Sequence, residues 1–137
     1  WRAALWHWAE HRARTVQLPT YAYLFEQVPP GEDPPRWGAF HTADVPYLLG
    51  NLEAAPQRQF TRADRDLGAL LAGYCLSFIR TGDPNGEGRP PWPTLDPDNP
   101  RWMRLGAEVG ATNMFSALGR LSAEAMLHRT PAVTVLP

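Results

Sequence analysis

Apolar residues recur at helical spacing at the start of the chain, where Trp1, Ala4, Leu5, Trp8 and Ala9 form a stripe that predicts a helix to about Arg14, packed on a core. Pro19 breaks that pattern. The run Tyr21-Ala22-Tyr23-Leu24-Phe25, bounded by prolines, then predicts a short strand buried on both faces. From Val28 to Trp37 the chain holds Pro29, Pro30, Gly31, Pro34 and Pro35, which cannot extend a strand and predict a stiff surface crossing. Asp44 followed by Val45-Pro46 predicts an N-cap and a short helix to about Leu49, ended by Gly50 or Asn51.

Residues 53–60 read as a linker. Thr61 with Asp64 three positions on is a capping-box pattern that opens the strongest helix of the chain. Its apolar face is Leu67, Leu70, Leu71, Tyr74, Cys75, Phe78 and Ile79, and Gly82 and Pro84 stop it. Prolines 90, 91, 93, 97 and 100 enforce an irregular crossing to Trp102-Met103-Arg104-Leu105, which reads as an edge strand. A last helix is expected from about Ser116 to His128 on the stripe Phe115, Leu118, Leu121, Ala125 and Met126, before a short apolar ending at residues 131–137. No internal repeat is visible.

Composition narrows the function classes more than the fold. With 137 residues and 44% hydrophobic content there is enough apolar material for a buried core, so disorder is not expected. A net charge of −1 with scattered arginines gives no reason to expect a nucleic acid or an anionic membrane as partner, and no apolar run is long enough to span a bilayer. Cys75 is the single cysteine, so no disulfide forms within the chain, and the compartment stays open. Low lysine with high arginine and proline suggests a GC-rich bacterial source.

The candidate chemistry sits at Trp37-Gly38-Ala39-Phe40-His41-Thr42-Ala43-Asp44, a lone histidine on a glycine-containing loop after the strand-like run. An imidazole titrates near neutrality, which suits it to take a proton from a hydroxyl nucleophile. The order aromatic, Gly, small, any, His, with a carboxylate three residues on, resembles the late sequence of the type-B carboxylesterase and cholinesterase family. The helix bearing Tyr74, Phe78, Arg80 and Thr81, then Gly82-Asp83-Pro84-Asn85 and Trp92-Pro93, resembles the ending of the same family. Together the resemblance covers roughly Trp1 to Leu105.

The resemblance implies an α/β class, with residues 1–137 as the C-terminal part of an α/β-hydrolase fold: late sheet strands, a histidine loop and packing helices, and not a complete domain. It implies ester hydrolysis through an acyl-serine intermediate, with His41 as the base that takes the serine proton and later protonates the leaving alcohol. No cofactor or metal is needed by such chemistry. The serine, the Glu or Asp of the triad and the oxyanion-hole donors would lie upstream. Ser77, Ser116 and Ser122 are the serines of this chain and none stands in a Gly-x-Ser-x-Gly elbow, so the segment alone is expected to be inactive. The expected partners are a small-molecule ester and the N-terminal part of the same enzyme, with a homodimer through C-terminal helices implied by the same resemblance. Thr42 departs from the pattern, replacing a glycine that many relatives carry, which leaves the backbone there less free.

Other residues near the loop admit two readings. Asp44 follows the histidine, against the chain order of the family's triad, and fits helix capping or loop bracing better than the acid role. Trp37, Gly38, Phe40, Tyr47 and Leu48 either line a substrate pocket or pack in the core. A competing pattern is His7-Trp8-Ala9-Glu10-His11, which matches the inverted zincin motif. It would need a third ligand, for which Glu87, Glu108 and Glu124 are arbitrary choices, and the same residues also form the polar face of the first helix. A catalytically silent interaction module of the same fold is the remaining alternative.

Overall fold

The computed structural model describes residues 2–16, 18–116, 119, 121–122 and 125. Helix α1 (Arg2–Thr15) leads to strand β1 (Tyr23–Phe25), followed by the one-turn helices α2 (Pro34–Trp37) and α3 (Val45–Leu48). Two 3-10 turns, Leu52–Ala54 and Pro56–Arg58, precede the long helix α4 (Arg62–Thr81), and strands β2 (Arg101–Leu105) and β3 (Val109–Asn113) complete the described elements.

The sheet order is β1-β2-β3. Tyr23 pairs with Met103 and Phe25 with Leu105 in parallel, and β2 and β3 run antiparallel from Arg101–Asn113 to Leu105–Val109. Alternation along the strands sends their side chains to two separate clusters. Tyr23, Phe25, Met103 and Leu105 pack with Tyr47, Leu67, Leu71 and Tyr74 on the α3/α4 side. Leu24 and Trp102 pack with Trp6, Ala9 and Met114 on the α1 side. Helices therefore cover both faces of a sheet that contains a parallel pair, which defines an α/β layer arrangement.

Apolar burial decides this packing. Tyr47, Leu71, Met103 and Leu105 are at most 1% exposed, and burying a large apolar side chain contributes roughly 1.5–3 kcal/mol. The exposed pairs Arg62–Asp66 and Arg65–Glu53 contribute no more than about 1 kcal/mol each.

Helix α4 follows its sequence. Thr61 Oγ1 accepts from the Asp64 amide at 3.2 Å while the Asp64 carboxylate accepts from the Thr61 amide at 2.9 Å, closing the capping box. Gly82 ends it in the left-handed region, φ 77°. The beginning of the expected apolar face is buried, but Phe78 is 48% and Ile79 78% exposed.

Four expectations are corrected. On α1 the buried residues are Trp6 and Ala9, whereas Leu5 and Trp8 are exposed; the helix has apolar residues around much of its girth, and the sheet, not the stripe, selects its inner face. Residues 101–105 form the middle strand of the sheet and not an edge, because β3 pairs with them on the outer side. The proline-rich crossing folds into the turn α2, with Pro34 at its start, where a missing amide proton does no harm. The linker at 53–60 is structured: it continues the 3-10 turn Leu52–Ala54, forms the turn Pro56–Arg58 and buries Phe60 in the core. Most of the helix expected at 116–128, the apolar ending and Trp1 lie outside the described residues.

The Gly82-Asp83-Pro84-Asn85 turn acts as a clip for Trp92. Asp83 Oδ1 accepts from the Asn85 amide at 2.9 Å and from its side-chain nitrogen at 2.7 Å. Asn85 Oδ1 then accepts from the Trp92 amide at 2.7 Å, and Asn85 Nδ2 donates to the Trp92 carbonyl at 2.9 Å. Held this way, the indole meets Tyr21, Tyr23 and Tyr74 edge to face and donates to the Ala22 carbonyl at 3.1 Å.

Candidate active site

His41 stands on the segment that leaves the carboxyl end of β1, the end of a parallel strand where open α/β sheets gather their functional loops. The segment passes through α2, turns at Gly38 with φ 55° and re-enters the core at α3. The His41 side chain is exposed and lines a hollow of about 550 Å³ with Trp37, Gly38, Phe40, Glu32, Asp33, Gln57 and Arg58. Among the described residues no hydrogen bond holds the imidazole.

Arg58 lines the same hollow. Its guanidinium lies 5.2 Å from the centre of the Phe40 ring and donates to the Pro30 carbonyl at 3.3 Å. Trp37 is 61% exposed with the Arg36 guanidinium over its ring at 5.2 Å. The hollow thus brings together His41, Trp37, Gly38 and Phe40 of the residues singled out from the sequence.

Asp44 and Tyr47 lie elsewhere. Asp44 makes no side-chain cap to α3; its Oδ2 accepts the Tyr23 hydroxyl at 2.6 Å, so it braces the loop to β1 in place of capping. Burial raises the Tyr23 phenol pKa well above its ordinary value, and the bond to Asp44 raises it further, since both favour the neutral donor. Tyr47 is fully buried in the α3/α4 core and donates to Asp64 Oδ1 at 2.7 Å. Leu48 lines a separate apolar hollow with Tyr21, Tyr23 and Cys75, and burial raises the Cys75 thiol pKa.

Thr42 directly follows the histidine with φ 71°. A β-branched residue in the left-handed region is strained by roughly 1–2 kcal/mol, so the loop keeps a glycine-like shape without a glycine. Thr42→Gly is expected to raise stability by about 0.5–1 kcal/mol, the relief of strain less the extra unfolded-chain entropy of glycine; chemical denaturation midpoints measure it, and a loss of stability would show that the Thr42 side chain compensates the strain.

The His7-Glu10-His11 pattern on α1 gains no third ligand among the described residues. Glu10 accepts from Arg14 at 3.2 Å, and among the described residues no three His, Cys, Asp or Glu side chains gather around one point. Glu124 lies outside them. No helix among the described residues is long and apolar enough to cross a membrane. Gln27 and Asp64 are the residues of this region that sequence reasoning missed as partners, and no spacing signal could have joined them.

A model of the carboxylesterase family matches residues 3–119. The chain is 33% identical over 116 residues to human bile salt-activated lipase, covering 80% of this chain and 15% of that protein. It is 32% identical over 112 residues to phenmedipham hydrolase of Pseudarthrobacter oxydans, covering 76% of this chain and 22% of the relative. Among solved structures, an esterase from Clostridium hathewayi that hydrolyses aliphatic aromatic polyesters superposes with a TM-score of 0.62 at 26% identity, over 69% of this chain and 19% of that one. A thermophilic PNB esterase gives 0.64 at 24% identity, over 77% of this chain and 22% of its own. The chain belongs to the carboxylesterase family, and its architecture is part of an α/β-hydrolase fold. It spans about a fifth or less of the length of these relatives.

Proposed function

We propose that this segment supplies the general base of a serine carboxylesterase. The observation that carries the reading is the position of His41: an exposed imidazole, held by no other side chain among the described residues, beside a hollow at the carboxyl end of a parallel strand. In this reading residues 1–137 form the C-terminal segment of one α/β-hydrolase domain whose serine and orienting acid lie upstream. His41 takes the serine proton as the hydroxyl attacks the ester carbonyl and returns it to the departing alcohol. It then takes a proton from water, whose oxygen attacks the acyl-serine, and the acid is released as the proton passes back to serine.

Trp37 and Phe40 give the hollow apolar walls, consistent with a small-molecule ester as substrate. The presence of esterases and hydrolases among the relatives supports the reaction class. Stopped-flow hydrolysis of a p-nitrophenyl ester by the enzyme that carries this segment is expected to show a burst of nitrophenol matching the enzyme concentration, followed by slower turnover. Steady hydrolysis that tracks bound metal and stops with a chelator, or none at all in the folded enzyme, would contradict it.

A further inference from the structure

Asp64 does more than cap α4. Its carboxylate is 2% exposed and both oxygens are engaged. Oδ2 closes the capping box, accepting from the Thr61 amide at 2.9 Å and the Thr61 hydroxyl at 2.6 Å. Oδ1 accepts two donors from outside the helix, the Tyr47 hydroxyl at 2.7 Å and Gln27 Nε2 at 2.9 Å. These two donors flank the histidine-bearing excursion: Gln27 lies where the chain leaves β1, and Tyr47 lies on α3, where it returns to the core. Between them the single turn of α2 is the only regular element before α3.

We propose that Asp64 is a positioning residue for His41, clamping both ends of the excursion that carries the imidazole to the start of α4. The inference rests on the reading of His41 as the base. Its physical content is leverage. Hydrogen bonds to a carboxylate are about twice as strong as neutral ones, and a buried carboxylate sheltered from water holds both strand exit and helix entry to one rigid element. A base displaced by about 1 Å loses on the order of a hundredfold in rate, so the two bonds to Oδ1 matter to kcat even though neither touches His41. The Asp44–Tyr23 bond braces only the returning side.

Replacing Asp64 itself would also remove the cap, so the test uses its donors in the enzyme that carries this segment. Tyr47→Phe and Gln27→Leu each remove one bond to Oδ1 and leave the capping box intact; Thr61→Ala weakens the box and leaves Oδ1 untouched. Tyr47→Phe and Gln27→Leu are each expected to lower kcat about tenfold with KM within about twofold, while Thr61→Ala lowers the melting temperature and keeps kcat within about twofold. Added to His41→Ala, Tyr47→Phe should slow the residual rate of fluorophosphonate labelling no further, because the clamp acts through the missing imidazole. Unchanged kcat in both donor variants, an equal loss in Thr61→Ala, or a full further loss on the His41→Ala background would overturn the clamp. Wild-type activity of His41→Ala alone would instead refute the base, a separate failure.

Discussion

His41→Ala in the full-length protein that carries this segment is expected to lower kcat/KM for a carboxylic ester by about a thousandfold or more, with KM little changed. The imidazole lines the hollow, and in the proposed mechanism it acts in the transition state, where the serine proton moves. Loss of such an interaction falls on kcat and not on substrate binding. The folded state should hardly notice, since His41 is exposed and makes no hydrogen bond among the described residues. Initial-rate kinetics alongside a melting curve separate the two effects; a drop in both by unfolding, or no drop in rate, would count against the assignment.

Asp64→Ala is expected to destabilise the protein by about 3–5 kcal/mol, the largest effect of any single substitution outside the apolar core. It removes the acceptor for the Tyr47 hydroxyl, the Gln27 amide, the Thr61 amide and the Thr61 hydroxyl. The fully buried Tyr47 hydroxyl is then left without a partner, and an unmet buried donor costs about 1–3 kcal/mol by itself. The substitution also changes the acid limb of stability. Burial alone would raise the Asp64 pKa, but donation from Thr61 Oγ1, Tyr47, the Thr61 amide and Gln27 outweighs it and holds the carboxyl below the ordinary carboxylate range. A depressed folded pKa means that the stabilisation is present above the unfolded value of about 3.9 and is lost as pH falls through the folded one. Urea midpoints measured from pH 7 down to pH 3 should therefore fall more steeply for the wild type than for Asp64→Ala over the lowest part of that range. Parallel curves would show that the carboxylate is not stabilised in the folded state.

The histidine loop and α4 were legible in the sequence for different reasons. Leu67, Leu71 and Tyr74 repeat at helical spacing behind a capping box, so one face and one start were fixed locally. His41 stood out through its neighbours Trp37, Gly38 and Asp44, and the structure places it at a hollow with Trp37, Gly38 and Phe40. Strand β3 was not legible, because Val109-Gly110-Ala111-Thr112-Asn113 has neither alternation nor bulk, and its pairing with β2 supplies what its side chains do not. The inner face of α1 was misread: helical spacing picks out Leu5 and Trp8, which are exposed, whereas Trp6 packs in the cluster that holds Trp102 of the sheet. Asp44 looked like a cap because Val45-Pro46 follow it, yet Tyr23 offers a stronger donor from the neighbouring strand. The meeting of Gln27, Tyr47 and Asp64 is tertiary, formed across segments with no shared local pattern.

The central claim is that His41 activates a serine supplied by the rest of the enzyme. Fluorophosphonate labelling of the enzyme that carries this segment, with the modified residue located by mass spectrometry, tests it most directly. The account predicts rapid modification of one upstream serine and a rate lower by about a thousandfold in His41→Ala. A correctly folded enzyme that remains unlabelled, or one labelled equally fast without His41, would contradict it.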